Sequence, residues 1–253
     1  MTAHRGAAVT DLADAYADIQ ARLIATLIAL DAEQHQAAVP ACPDWTVADV
    51  MAHLAGGMVD VTSGHVPELH GLSLLDQWRD DNVAQARDAL TAREVRERRD
   101  HSLESVISEW QQASTLLFPM LRGDIPYPPD TFAFAGNSLI NDVVVHEGDI
   151  REAIGLDVAP EIHATSAALL AYAFSLDNRI RVSGLPALVL RYGAKERVVG
   201  DGDPVAAVTA SRTTLVRMLA SRLRAHEICD LEWDGDPQPY LAVTPEYGPS
   251  TST

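Results

Sequence analysis

The residues best suited to do chemistry lie in NDVVVHEGDIREAIG, residues 141–155. At about 100° per residue, Leu139, Val143, His146, Ile150, Ala153 and Ile154 share one helical face. His146 sits in the middle of that apolar stripe. Asp142 precedes it by four residues and Asp149 follows by three, so both carboxylates lie along one edge of the stripe. One turn, a rise of about 6 Å, separates Asp142 from His146, close enough for both to reach one ion. A lone histidine–carboxylate pair has a simpler reading: a buried imidazole satisfied by a hydrogen bond. A second histidine brought to the same point changes that reading.

His53 is the histidine that fits. Val47, Val50, Met51, Leu54 and Met58 form the apolar face of its helix, and His53 falls roughly 60° beyond Val50, on the border of that face. From there a side chain can point into a bundle interior. Asp49 lies one turn earlier, but capping accounts for it: Thr46 and Asp49 form a capping box with Asp in place of the usual Glu or Gln. His4, His35, His65, His70, His101, His163 and His226 fall at helix ends or in links, where solvated or capping roles suffice. His53, Asp142 and His146 then make a two-histidine, one-carboxylate set drawn from two helices. Such a set suits a catalytic divalent site with one position left for water or substrate. Imidazole and carboxylate favour Zn²⁺ and also admit Fe, Ni or Mn. Asp149 would stand behind His146 and orient its ring by accepting the second N–H.

Helices must position these groups. Leu12, Tyr16, Ile19, Leu23, Leu27 and Leu30 keep the helical period and predict one long helix over 10–38. VPACPDW, with two prolines, breaks it. A second helix follows from Thr46, a third over about 73–96, a fourth over about 102–122, a fifth over the stretch that ends near Gly155, and a sixth over about 161–181. GDIPYPPDTFAFAG reads as a proline-rich loop. After Gly184 the pattern changes to short β-like runs, PALVLRYG, KERVVGDG and VAAVTAS, then a helix over RTTLVRMLASRLRA and a strand in ICDLEWDG. The expected architecture is mainly α, an up-down helical bundle over 1–184 with a small α+β domain over 185–248. The PSTST tail, 249–253, reads as disordered.

Bulk properties narrow the partners. The 253 residues carry 19 basic and 36 acidic side chains, a net charge of −17. Such acidity argues against nucleic acid or an anionic membrane as partner. No apolar run is long enough to span a bilayer, and the N-terminus lacks the basic and apolar blocks of a signal peptide, so a cytosolic protein is expected. Two cysteines, Cys42 and Cys229, are too few and too distant for a disulfide framework or a cysteine metal site. Cys42 reads as structural, because no basic neighbour is evident to lower its thiol pKa.

VPACPDWTVADVMAHLAGG together with DVVVHEGDIREAIG resembles the mycothiol-dependent enzymes related to maleylpyruvate isomerase, a branch of the DinB-like superfamily. The first segment matches at Cys42, Pro43, Trp45, Thr46, Val47, His53, Leu54 and Ala55. The second matches at Asp142, His146, Asp149, Ala153 and Gly155. The chain departs from the family in carrying Asp142 where Glu is usual, and Ser221–Arg222 where Gly–Arg is frequent. The resemblance implies a DinB-like bundle and a divalent metal held by His53, Asp142 and His146. It also implies mycothiol as thiol cofactor, a small electrophilic second substrate, and Arg222 as a catalytic clamp for a substrate carboxylate. A thiol transferase or isomerase, monomeric or a small homo-oligomer, is the function so implied. A metal-dependent hydrolase on the same bundle, or a non-catalytic metal-binding or interaction protein, remains the alternative.

Overall fold

The computed structural model describes residues 4–129, 131 and 135–247, with side chains from Leu12 onward. The expected disordered tail, 249–253, lies outside the described residues, as do the side chain of His4 and positions 130 and 132–134 of the proline-rich loop. The N-terminal part runs α1 (His4–Ile28), α2 (Ala32–His35), β1 (Ala38–Val39), β2 (Cys42–Thr46), α3 (Val47–Ser63), α4 (Asp81–Arg98), α5 (Leu103–Arg122), α6 (Ala135–Ala153) and α7 (His163–Val182). Helix α3 packs against α4, α5 and α6, and α1 against α5, α6 and α7.

Several boundaries differ from the periodicity. The single helix expected over 10–38 ends at Ile28, and Asp31 restarts the chain as α2. Its carboxylate accepts from the Gln34 N–H at 2.9 Å while the Gln34 side chain accepts from the Asp31 N–H at 3.1 Å. A local cap thus overrides a continuing apolar period. The two prolines do more than break a helix: β1 and β2 pair antiparallel, with Ala38 opposite Thr46. The helix expected from 73 begins at Asp81, capped by Asp80, and residues 67–69 and 74–76 form short 3-10 turns instead. Helix α6 starts earlier than expected, because Ala135, Leu139 and Ile140 already bury in the bundle core.

Trp110 stands at the centre of that core. It meets Tyr16 edge-on at 6.2 Å between ring centroids and donates its Nε1–H to the Tyr16 hydroxyl at 3.2 Å. Leu23, Leu27, Met51, Met58, Leu117 and Ile150 belong to the same buried core.

The C-terminal part adds β3 (Pro186–Tyr192), β4 (Lys195–Val199), β5 (Asp201–Thr209), α8 (Arg212–Leu219), α9 (Ala225–Cys229) and β6 (Glu232–Asp234). The sheet order is β4-β3-β5-β6, with β3 and β5 parallel and the other pairs antiparallel. Val189 lies opposite Val198 on one side and Ala207 on the other. Leu188, Leu190 and Val208 build a second core with Leu169, Tyr172, Leu176 and Ile180 of α7 and Leu215 and Leu219 of α8. The helix expected over RTTLVRMLASRLRA is cut at Ser221, whose φ of +63° lies in the left-handed region. No helix among the described residues is long and apolar enough to cross a membrane.

Arg179, fully buried on α7, ties the C-terminal segment to this core. Its Nε donates to the Val243 carbonyl at 2.7 Å and Nη2 to the Thr244 carbonyl at 3.0 Å. Nη1 donates to Ser175 Oγ at 3.1 Å and lies 3.2 Å from Glu246 Oε2. Removing one member of such a set leaves the others buried and unmatched. Arg179→Ala should therefore destabilise the protein by about 3 kcal/mol, read from urea unfolding. Wild-type stability in that variant would contradict this account of how the segment is held.

Candidate metal centre

Helix α3 begins with a reciprocal cap. Thr46 Oγ1 accepts from the Asp49 N–H at 3.2 Å, and Asp49 Oδ2 accepts from the Thr46 N–H at 2.9 Å. Asp49 is thereby occupied, and His53, one turn on, is free to face inward. The ring of His53 is buried and its Nδ1 lies 2.5 Å from Glu94 Oε2 of α4. On α6, His146 is equally buried, with Nδ1 at 2.9 Å from Asp149 Oδ2. An ionised carboxylate only accepts, so in the neutral form each imidazole donates from Nδ1 and its Nε2 carries the lone pair.

Those free nitrogens face the same place. His53 Nε2 is 3.8 Å from Asp142 Oδ2, and one donor atom each from His53, Asp142 and His146 lie within 4.8 Å of one another. The two imidazoles are 5.1 Å apart and nearly perpendicular. Trp45, from β2, covers both: its ring centroid is 5.2 Å from that of His53 and 6.4 Å from that of His146. The Asp142 side chain is 34% exposed while the imidazoles are nearly sealed, so access is from the Asp142 side.

The electrostatics differ at the two rings. Burial disfavours charge on both. At His146 burial prevails over Asp149 and lowers the pKa, which keeps the ring neutral. At His53 burial is outweighed by the Glu94 carboxylate, its hydrogen bond and Asp142, and the pKa rises. A field that favours a proton there favours any cation placed at Nε2. Two available imidazole nitrogens and one carboxylate converging under an aromatic cover fit a divalent ion in chemistry and number.

Asp149 is fully buried and is surrounded by cations. Arg222 Nη2 donates to its Oδ2 at 2.9 Å, Arg222 Nε approaches both oxygens at 3.2 and 3.3 Å, and Arg217 Nη1 lies 3.6 Å away. Burial opposes ionisation, but the Arg222 charge and the His146 hydrogen bond overcome it and hold the carboxyl well below the usual range. Arg222 also donates from Nη1 to the Ala220 carbonyl at 2.8 Å. It therefore stands behind Asp149, and a substrate carboxylate clamped by Arg222 would have to compete with that aspartate.

Cys42 requires a correction. Sequence spacing shows no basic neighbour, yet Arg222 Nη2 lies 3.8 Å from Cys42 Sγ. Burial still dominates and pushes the thiol pKa up, with Arg222 acting against it. The residues absent from the sequence reading are Glu94 as partner of His53 and Trp45 as cover. Glu94 did leave a signal: it follows Leu90 by four residues on the same face as Val83, an acid on an apolar stripe.

Fold and site together define a helical-bundle protein with a two-histidine, one-carboxylate cluster between facing helices. The sequence model of the mycothiol maleylpyruvate isomerase N-terminal domain matches residues 16–151, more than half of the chain. The chain belongs to that family, which is a family of enzymes. Among solved structures, the mycothiol-dependent maleylpyruvate isomerase and a histidine-to-alanine mutant of it each align with a TM-score of 0.49 at 15% identity. In both cases 85% of this chain and 88% of the other are covered. No curated protein matches.

The Asp149 cluster has a signed acid dependence. Its folded pKa lies below the unfolded value of about 3.9, so its stabilisation is complete above about pH 4 and is lost as pH falls through the folded value. In metal-free protein, Asp149→Asn should be less stable than wild type at neutral pH and should lose stability less steeply below about pH 4. Parallel acid limbs for the two proteins, followed by urea midpoints, would show that Asp149 carries no such linkage.

Proposed function

We propose that the chain is a metal-dependent thiol transferase or isomerase that presents the thiolate of mycothiol to a small electrophilic substrate. The observation that carries the reading is the convergence of His53, Asp142 and His146 with both Nδ1 atoms already committed. Family membership supports mycothiol as the thiol. His53 Nε2, His146 Nε2 and an Asp142 oxygen would hold the ion, most simply Zn²⁺. A divalent cation bound there supplies the positive charge that favours the thiolate over the thiol near neutral pH.

The chain's own groups have distinct parts in this. Asp149 fixes the tautomer and the aim of the His146 ring. Arg222 neutralises Asp149 and so acts on the site through that carboxylate. The clamp that the resemblance implies for Arg222 requires the guanidinium to turn from Asp149 toward substrate. Trp45 excludes water from the imidazole side, which leaves the Asp142 side for thiol and electrophile. Cys42, with its thiol pKa raised, stays protonated near neutrality and is no nucleophile. A bundle over 1–184 and an α+β unit over 185–248 belong to the same proposal. Two cores support a division into two parts, but the second takes in the inner face of α7, so α7 is shared by both parts. A cytosolic setting also belongs to it, supported by two free cysteines.

Metal analysis and thiol titration test the proposal. Purified protein should hold about one divalent ion, and His53→Ala or His146→Ala should abolish it, whereas Asp149→Asn should keep much of it. Mycothiol should bind more tightly with the ion present than without. Equal metal content in wild type and His146→Ala would refute the site, and indifference to thiol would favour a hydrolase. Cys42→Ser should keep metal and thiol binding alike. A folded Cys42→Ser protein without activity would place the nucleophile in the chain.

A further inference from the structure

The two imidazoles are supported differently. His146 takes its carboxylate from its own helix, three residues away, in a position that folds with it. His53 takes Glu94 from α4, a separate helix 41 residues further along the chain. That support exists only if α4 docks closely enough on α3.

Helix α4 is an unusual candidate for close docking. Among its described residues the buried apolar side chains are Val83, Leu90 and Val95, and the others buried are Glu94 and Arg98. Burying a carboxylate is costly unless it is hydrogen-bonded. Glu94 is 2% exposed and meets His53 directly. Arg98, one turn on, donates from Nη1 to the Glu94 carbonyl at 3.0 Å and from Nε and Nη2 to Glu109 at 2.7 and 2.9 Å. Arg93 holds the acidic neighbour Asp60 at 2.8 Å. Polar links thus seat a helix with little apolar face of its own.

The seat itself is a glycine. A Cβ built on Gly56 would stand 2.6 Å from Glu94 Cβ, 2.8 Å from Glu94 Cγ and 2.9 Å from Arg98 Nη1. A Cβ there requires Glu94 and Arg98 to shift. Gly57, the next residue, has its nearest such contact at 3.6 Å, from Glu94 Oε1, an ordinary separation. Glycine weakens a helix interior, so Gly56 costs α3 stability and returns close approach at the one turn that carries His53.

We propose that Glu94 is a positioning residue for His53, seated by the notch at Gly56, which holds the ring with Nδ1–H outward and Nε2 toward Asp142 and His146. The inference rests on the metal reading above and assigns this chain a second supporting carboxylate, opposite Asp149. Loss of a carboxylate behind a metal-binding histidine lowers affinity by about 10–100-fold in other sites.

Zinc affinity, measured by competition with a chromophoric chelator, tests it in wild type, Glu94→Gln, Gly56→Ala and Gly57→Ala, each checked for fold by near-ultraviolet circular dichroism. Glu94→Gln should bind Zn²⁺ about tenfold more weakly. Gly56→Ala should weaken binding similarly, although alanine favours the helix, and Gly57→Ala should bind as wild type. The double variant Glu94→Gln/Gly56→Ala should be little worse than either single one, because both remove the same contact. The zinc-loaded wild type should show a downfield Nδ1–H proton resonance from His53 that moves upfield in Glu94→Gln, where a neutral amide oxygen replaces the carboxylate, a signature that a Glu94 acting only on fold would not move. Wild-type affinity in both Glu94→Gln and Gly56→Ala would overturn the inference and leave the metal site standing. A wild type that takes up no zinc would overturn both.

Discussion

The site depends on each imidazole being held at one nitrogen so that the other is free. His53 and His146 are both buried, and both give Nδ1 to a buried carboxylate. That arrangement moves an electrostatic burden outward, because a buried carboxylate must itself be matched. Asp149 is matched by Arg222 and Arg217, which lie beyond α7 in the C-terminal part. The Glu94 carboxylate is met by His53 itself, and the groups around it lie within the bundle, where Arg98 holds the Glu94 carbonyl and Arg93 holds the neighbouring Asp60. One imidazole is thus underwritten by the C-terminal segment and the other by the bundle.

This explains why the C-terminal part is welded to the bundle. Ser221 occupies a left-handed conformation that favours glycine, and its hydroxyl accepts from the Tyr247 N–H at 2.9 Å. The resemblance places glycine at this position, and the positive φ gives the reason: the turn must leave α8 sharply for the next residue to reach back to Asp149. Serine meets the same need with a strained backbone and an extra hydrogen bond. Gln77 donates to Glu246 at 3.2 Å and accepts from Arg87 at 3.1 Å, which joins the link before α4 to the same C-terminal segment.

Much of this was legible from residue spacing. His146 in an apolar stripe and His53 at the border of another are local statements, and helical period suffices to make them. The mainly helical bundle followed by a short-stranded C-terminal part followed from the change of period after Gly184. What escaped was decided across the chain or by single turns. Glu94 and Arg222 reach the site from 41 residues after His53 and 73 residues after Asp149, and no local pattern pairs them. The end of α1 at Ile28 and the break at Ser221 were hidden because Leu30 and the residues after Ser221 continue a plausible helical pattern. Backbone caps, not hydrophobicity, made those decisions.

Asp142 is the least constrained of the three central groups, and that has a physical sense. It sits on the same rigid helix as His146, one turn away, so their spacing is fixed by helix geometry alone. The separation of His53 from that pair is set instead by how α3 packs against α6, with α4 pressing from behind through Gly56. In the proposed site, a carboxylate shorter than the glutamate usual in the family would draw an ion toward α6. The carboxylate at the open rim can adjust, while the two rings beneath Trp45 cannot. Burial is thus concentrated on the imidazole side and exposure on the Asp142 side.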